Sequence, residues 1–252
     1  IKFKNLTLVS NKKRISSNFK TIFFFYGMGN SSDDFDFLIK KLDKKYQFLI
    51  PELPGHNNDK FNSKFSLINY ANTIVLLILR KNLCNLFFFS HSVGGIIPIL
   101  IAKKIKQKKK IKNFFNYEGN LTEYDTDTIT KKTTSYSMNE FDYKFNKLVG
   151  ICEQSSQSTI RLWSNSLKKT SSKAFYDLSK DTVLLSKKSI LLHFFRIFFR
   201  KKLYMFGSNS PLNFSEFIFG PGRLILNNTG HFAFYDDKTK FLSIFLKLIY
   251  NC

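Results

Sequence analysis

Ser92 and His231 are the residues of this chain whose types and settings suit covalent chemistry. A serine hydroxyl is a weak nucleophile at neutral pH unless an imidazole takes its proton, and the imidazole works best when an acid fixes its tautomer. Ser92 stands in the stretch Phe87-Phe88-Phe89-Ser90-His91-Ser92-Val93-Gly94-Gly95. Leu86 to Phe89 offer no polar face to water and predict a buried strand, whereas the half rich in serine and glycine predicts a sharp turn. The apolar run from Ile96 to Ala102 suits a helix packed on a sheet, with Pro98 tolerable only near its first turns. His231 comes late in the chain, after the strand-like Leu224-Ile225-Leu226 and the turn Asn227-Asn228-Thr229-Gly230.

The surrounding elements must carry these two side chains together. Residues 3–9 and 14–18, around Ser10-Asn11-Lys12-Lys13, predict an opening hairpin. Thr21 to Phe25 predicts a buried strand that breaks at Gly27 and Gly29. Asp33 and Asp34 supply negative charge at a helix start, followed by Phe35, Leu38, Ile39 and Leu42 at helical spacing. A strand over 46–50, a helix over 66–80, the strand at 86–89, a helix over 93–106 and a strand over 111–117 continue the alternation. That rhythm predicts an α/β fold with a mostly parallel central sheet and helices on both faces. After Gly119 the rhythm changes. Residues 121–197 are richer in Ser, Thr and Lys, lack a buried-strand run and predict helices around 139–152 and 173–188. Strands return at 203–206 and 224–226, and a final helix over 233–250 places Phe241, Ile244, Phe245 and Leu248 on one face. The expected organisation is one core, residues 1–120 and 198–252, with a helical cap insertion at 121–197 before the last two strands. Ligands of such sheets gather outside the carboxyl ends of the strands, where Ser92, His231 and Gly27-Met28 all fall.

Ser90-His91-Ser92-Val93-Gly94 resembles the nucleophile elbow of the α/β-hydrolase superfamily, G-x-S-x-G between a strand and a helix. Tyr26-Gly27-Met28-Gly29 resembles its His-Gly oxyanion loop. Pro51-Glu52-Leu53-Pro54-Gly55-His56 resembles its D-x-P-G-H-G segment, and Asn228-Thr229-Gly230-His231-Phe232 its histidine loop. The segments stand in family order, so the resemblance spans nearly the whole chain. It departs at Ser90 and Tyr26, which replace a glycine and a histidine, and at Gly207-Ser208-Asn209-Ser210-Pro211, where Ser210 stands in the place of the acid. Some superfamily members resemble this chain in carrying the acid after the preceding strand, which points to Glu118. Glu216 is the second candidate, Asp236 and Asp237 lie on the far side of the histidine, and a Ser92–His231 dyad without an acid is the remaining arrangement. Backbone N–H groups of Met28 and Val93 are the expected oxyanion donors by position. The resemblance implies a serine hydrolase acting on an ester or thioester of a small acyl group. Two other readings stay open at this stage. One is an impaired relative that binds an anionic partner such as an acidic carrier protein, and the other is a C–C hydrolase or lyase on the same scaffold.

Composition sets outer bounds. The 252 residues, 43% of them hydrophobic, suffice for one sizeable core. Lys and Arg number 40 against 18 Asp and Glu, a formal charge of +22. Because the chain is also crowded with Lys, Asn, Ile and 30 phenylalanines, the excess reads as a compositional bias before it reads as an anionic partner. No nucleic-acid motif accompanies the basic run Lys103 to Lys110, which reads as a solvated helix end. The three cysteines, Cys84, Cys152 and Cys252, have no metal-ligand spacing and fit a reducing, cytoplasmic setting; no cofactor and no metal is expected. The apolar windows 74–79 and 86–102 fall short of the about 20 apolar residues of a membrane span. The chain shows no leader pattern and no initiating Met, so residues upstream of Ile1 are expected. His56 and His91 read as structural, His193 as a core or interface histidine, and the aromatic residues of the insertion, among them Tyr136, Phe141, Tyr143, Phe145 and Trp163, as core.

Overall fold

The computed structural model describes residues 1–61, 65–105, 110–127, 129–210 and 222–251. Eight strands form one sheet in the order β1-β2-β4-β3-β5-β6-β7-β8. They are β1 (Lys2–Phe3), β2 (Leu6–Ser10), β3 (Lys20–Phe25), β4 (Tyr46–Pro51), β5 (Leu86–His91), β6 (Ile111–Tyr117), β7 (Lys202–Gly207) and β8 (Arg223–Leu226). β1 with β2 and β2 with β4 pair antiparallel; every pair from β4 across to β8 is parallel. The opening hairpin is therefore tighter than the sequence suggests. It joins residues 2–3 to 6–10 through Lys4, whose φ of 53° supplies the turn, and residues 14–18 form no strand.

Phenylalanine builds the centre of the sheet. β5 is buried along its whole length and β3 nearly so, the pattern of strands covered on both faces. Alternation sends Phe24, Phe48 and Phe89 to one face and Phe23, Phe25 and Phe88 to the other. Phe24 stacks on Phe89 at 5.2 Å between ring centroids and meets Phe35 at 4.2 Å. Ring pairs at such separations add about 0.5–1.5 kcal/mol each beyond the area they bury.

Helices flank this sheet: α1 (Asp36–Ile39), α2 (Leu67–Arg80), α3 (Ile96–Lys104), α9 (Ala233–Asp236) and α10 (Lys238–Tyr250). Ser66 caps α2 by accepting from the Asn69 N–H at 3.2 Å, and Asp237 breaks the expected 233–250 helix by capping α10 at the Lys240 N–H. Pro98 lies third in α3, within the first turn, where a missing N–H costs nothing. Phe241 and Phe245 of α10 pack on Phe89 at 5.7 and 5.2 Å.

Between β6 and β7 the chain is helical: α4 (Thr130–Thr134), α5 (Met138–Glu153), α6 (Ser158–Leu167), α7 (Ser172–Ser186) and α8 (Ile190–Phe198). The expected helices are α5 and α7. α4, α6 and α8 are additions. The insertion is tied to the sheet edge by the Ser171 N–H donating to Gly55 O at 2.7 Å and the Asn58 N–H to Lys169 O at 2.8 Å. Among the described residues no helix is long and apolar enough to cross a membrane.

The turn after β5 brings α3 hard against β3. A Cβ on Gly94 would stand 2.2 Å from the carbonyl oxygen of Phe25. Gly94→Ala should destabilise the fold by about 3 kcal/mol, because backbone on both sides must shift. Urea unfolding reads this as a lower midpoint at unchanged slope; an unchanged midpoint would show that the approach is not tight.

Candidate active site

The tight packing at Gly94 fixes the turn that precedes it. Ser92 takes φ 54°, a left-handed conformation that is costly for a residue with a Cβ, and a 3-10 turn, Ser92–Gly95, leads into α3. The expected small residue at 90 is accommodated, since Ser90 is fully buried and donates to Asn116 Oδ1 at 2.6 Å. Ser92 Oγ makes no hydrogen bond to any described residue and faces a cavity of about 700 Å³ that Glu118 and His231 also line.

β6 ends in the same way as β5. Glu118 has φ 43° and its N–H donates to Met205 O at 2.8 Å. Its Oε2 lies 2.8 Å from His231 Nδ1, while Oε1 accepts from Ser210 Oγ at 2.5 Å and from the Gly207 N–H at 2.8 Å. Burial pushes this carboxyl upward, but the bonds and charge of His231 and the two donors near β7 outweigh it and hold the group below the usual range. A carboxylate can only accept, so Nδ1 of His231 carries a proton, and in the neutral ring Nε2 is the nitrogen with the lone pair. Ser210 thus sits where the resemblance places the acid and, as a serine, donates to the carboxylate at the end of β6.

The loop that carries His231 is pinned from three sides. Tyr117 Oη donates to Gly230 O at 2.5 Å, and Gly230 N–H donates to Asp236 Oδ2 at 2.7 Å. His91 Nε2 lies 2.9 Å from His231 O, which as a carbonyl can only accept, so Nε2 is the protonated nitrogen. Burial, together with the charge of His231, holds His91 well below the usual imidazole range despite that hydrogen bond, so it stays neutral. Asp236 and Asp237 are thereby committed to backbone N–H groups and do not reach the ring, and Glu216 lies outside the described residues.

The loop after β3 closes the other side. A Cβ on Gly27 would meet Ser92 Cβ at 2.8 Å and His91 Nδ1 at 2.9 Å, so only glycine passes there. Met28 and Val93 both line the cavity, and Met28 O accepts from Trp163 Nε1 of α6 at 3.2 Å. Tyr26, the departure from histidine, is matched by Glu52. Tyr26 Oη donates to Glu52 Oε2 at 2.5 Å and accepts from the Leu53 N–H at 2.7 Å, which braces the loop from behind. His56 is buried and pushed down to about 4 by desolvation, in keeping with a structural role.

Two expectations need correction. His193 is exposed on α8 and so is no core residue, because the opposite face of that short helix, Leu191, Leu192 and Phe195, is the buried one. The aromatic residues of the insertion divide: Phe141 and Phe145 are buried and Tyr143 is 70% exposed, but Trp163, Tyr136 and Phe141 line the cavity. Sequence reasoning also misses the part played by Ser210, Tyr117 and His91; of these, only the serine in the acid's place carried a signal.

The sheet order, the elbow and the insertion before the last two strands define the α/β-hydrolase fold, and this chain has it. A carboxylesterase of Nitrososphaera gargenis matches it over 98% of this chain and 94% of that one, with a TM-score of 0.75 at 14% identity. MenH from S. aureus matches over 99% of both chains, also at a TM-score of 0.75 and 14% identity. By sequence, a Mycoplasma pneumoniae protein named "Putative esterase/lipase 2" is 29% identical over 90 residues, 34% of this chain. The match spans 34% of the length of that curated relative. No family model matches the chain.

The lowered pKa of Glu118 links it to folding. Its contribution to stability is complete above the ordinary carboxylate range and is lost as pH falls through the lower folded value. Glu118→Gln should therefore flatten the acid limb of stability against pH, read from urea midpoints between neutral pH and pH ~3. A wild-type acid limb that the substitution leaves unaltered would show that the carboxylate is not held in its charged form.

Proposed function

We propose that the chain is a serine hydrolase that cleaves esters or thioesters of small acyl groups, with Ser92 as nucleophile, His231 as base and Glu118 as acid. The observation that carries this reading is the 2.8 Å contact of Glu118 with His231 Nδ1 at the wall of the cavity that Ser92 faces. The names of the carboxylesterase and esterase/lipase similar to it support the same class.

In the proposed reaction His231 Nε2 takes the Ser92 proton as Oγ adds to the carbonyl carbon. The oxyanion accepts from the N–H groups of Val93 and Met28, and Glu118 stabilises the imidazolium that forms. Collapse breaks the bond to the alcohol or thiol, which leaves with the proton from His231. Water then adds along the same route and releases the acid. Residues 1–120 and 198–252 form the catalytic core in this reading, and residues 121–197 form the cap that shapes the acyl site. The free thiols of Cys84 and Cys152 support a reducing, cytoplasmic setting.

A fluorophosphonate probe tests the nucleophile. Wild type should label at Ser92 and turn over p-nitrophenyl butyrate, and Ser92→Ala should do neither; a folded wild type that resists the probe under conditions that label a known serine hydrolase removes the proposal. The acid has its own test. Glu118→Ala should lower kcat by roughly ten-thousandfold. Adding Ser210→Asp to that variant should restore part of the loss, because the new carboxylate starts from the hydroxyl that now touches Glu118.

A further inference from the structure

Cationic side chains cluster at the wall of the cavity. Lys132 of α4 and Lys144 and Lys147 of α5 line it, together with the carboxylates Glu118 and Asp125. Both carboxylates are occupied: Glu118 as described, and Asp125 by the Leu121 and Thr122 N–H groups at 2.6 and 2.7 Å. Among the described residues none of the three lysines pairs with a carboxylate. Glu140, one turn before Lys144, binds the N–H and Oγ of Ser137 at 2.8 and 2.7 Å in the capping box of α5. The Lys144 ammonium lies 5.6 Å from the centre of the Tyr136 ring, which keeps it at the cavity wall.

These charges are ordered. Lys144, Lys147, Leu148 and Ile151 all line the cavity, and their spacing of three, four and seven residues makes one stripe of α5. The stripe is cationic in its first turn and aliphatic in its next, and the helix axis advances roughly 10 Å from one end to the other. Ile160 and Trp163 of α6 add to the apolar lining. Lysines are abundant over the whole chain, so their number here decides nothing; their lack of a carboxylate in salt-bridge contact and their place at one end of an apolar stripe do.

We propose that this cavity binds an amphiphile with an apolar chain and a phosphate group, and that the natural substrate is an acyl group carried on a phosphate-bearing alcohol or thiol. A phosphate monoester carries nearly two charges at neutral pH, which a cluster of three compact ammonium groups, Lys132, Lys144 and Lys147, matches better than it would a singly charged anion. The word substrate rests on the hydrolase reading, but binding does not.

Trp163 is the one tryptophan in the sequence and lines the cavity, so its fluorescence reports occupancy. Octyl phosphate should bind wild type about tenfold more tightly than octanol at low salt. The double variant Lys144→Gln, Lys147→Gln should lose that advantage and keep its octanol affinity, which also reports that the fold is intact. Equal affinity for the two probes, no saturable binding of octyl phosphate, or an advantage that survives the double substitution would overturn the proposal. Turnover of octanoyl glycerol phosphate against octanoyl phosphopantetheine then separates a lipid source from a carrier source. If octyl phosphate binds as expected but neither ester is hydrolysed, the hydrolytic reading fails and the binding site stands.

Discussion

Two neighbouring strands of the sheet end in residues held in the left-handed region, and the whole site depends on that strain. β5 and β6 pair with His91 opposite Tyr117, so Ser92 and Glu118 are the next residues along each strand, level with one another. Neither is glycine, and a backbone of this kind costs about 1–3 kcal/mol at each position unless the surroundings impose it. At Ser92 the imposition is the contact of Gly94 with the end of β3. At Glu118 it is the hydrogen bond from its own N–H to β7. The phenylalanine-packed sheet beneath supplies the rigidity that keeps both turns in place.

In the proposed triad the acid and its support exchange the places that the resemblance gives them along the sheet. A carboxylate leaving β6 must be desolvated to reach His231, and burial alone would neutralise it. The Ser210 hydroxyl and the Gly207 N–H, both at the end of β7, offset that cost by donating to one oxygen while the ring takes the other. An acidic side chain at 210 in the presence of Glu118 would instead put two negative groups together. On that reading the serine at 210 and the carboxylate at 118 belong together, and Tyr26 bonded to Glu52 is a matched pair of the same kind behind the loop after β3.

Much of this frame is legible in the sequence because buried parallel strands and amphipathic helices write their periods directly into residue order. The order of β3 to β8, α2, α5 and α7 follows from such patterns. The opening hairpin does not, since its turn depends on a left-handed lysine that no turn motif announces, and α6 hides because two serines, Ser164 and Ser166, stand on its buried face while Leu162 is exposed. Ser92 and His231 are readable from short segments with fixed neighbours. The bond from His91 to the His231 carbonyl joins residues 140 positions apart, and local spacing holds no information about it.

The indole of Trp163 grips the Met28 carbonyl, and Ser166, one turn further along α6, donates to Asp34 at 2.7 Å. The peptide plane joining Met28 to Gly29 consequently takes its tilt from a helix that belongs to the roof, not to the floor. Roof and floor are in this sense one mechanical part. Exchanging the roof for another would also release the Met28 carbonyl, one residue along from the Gly27 that packs on Ser92.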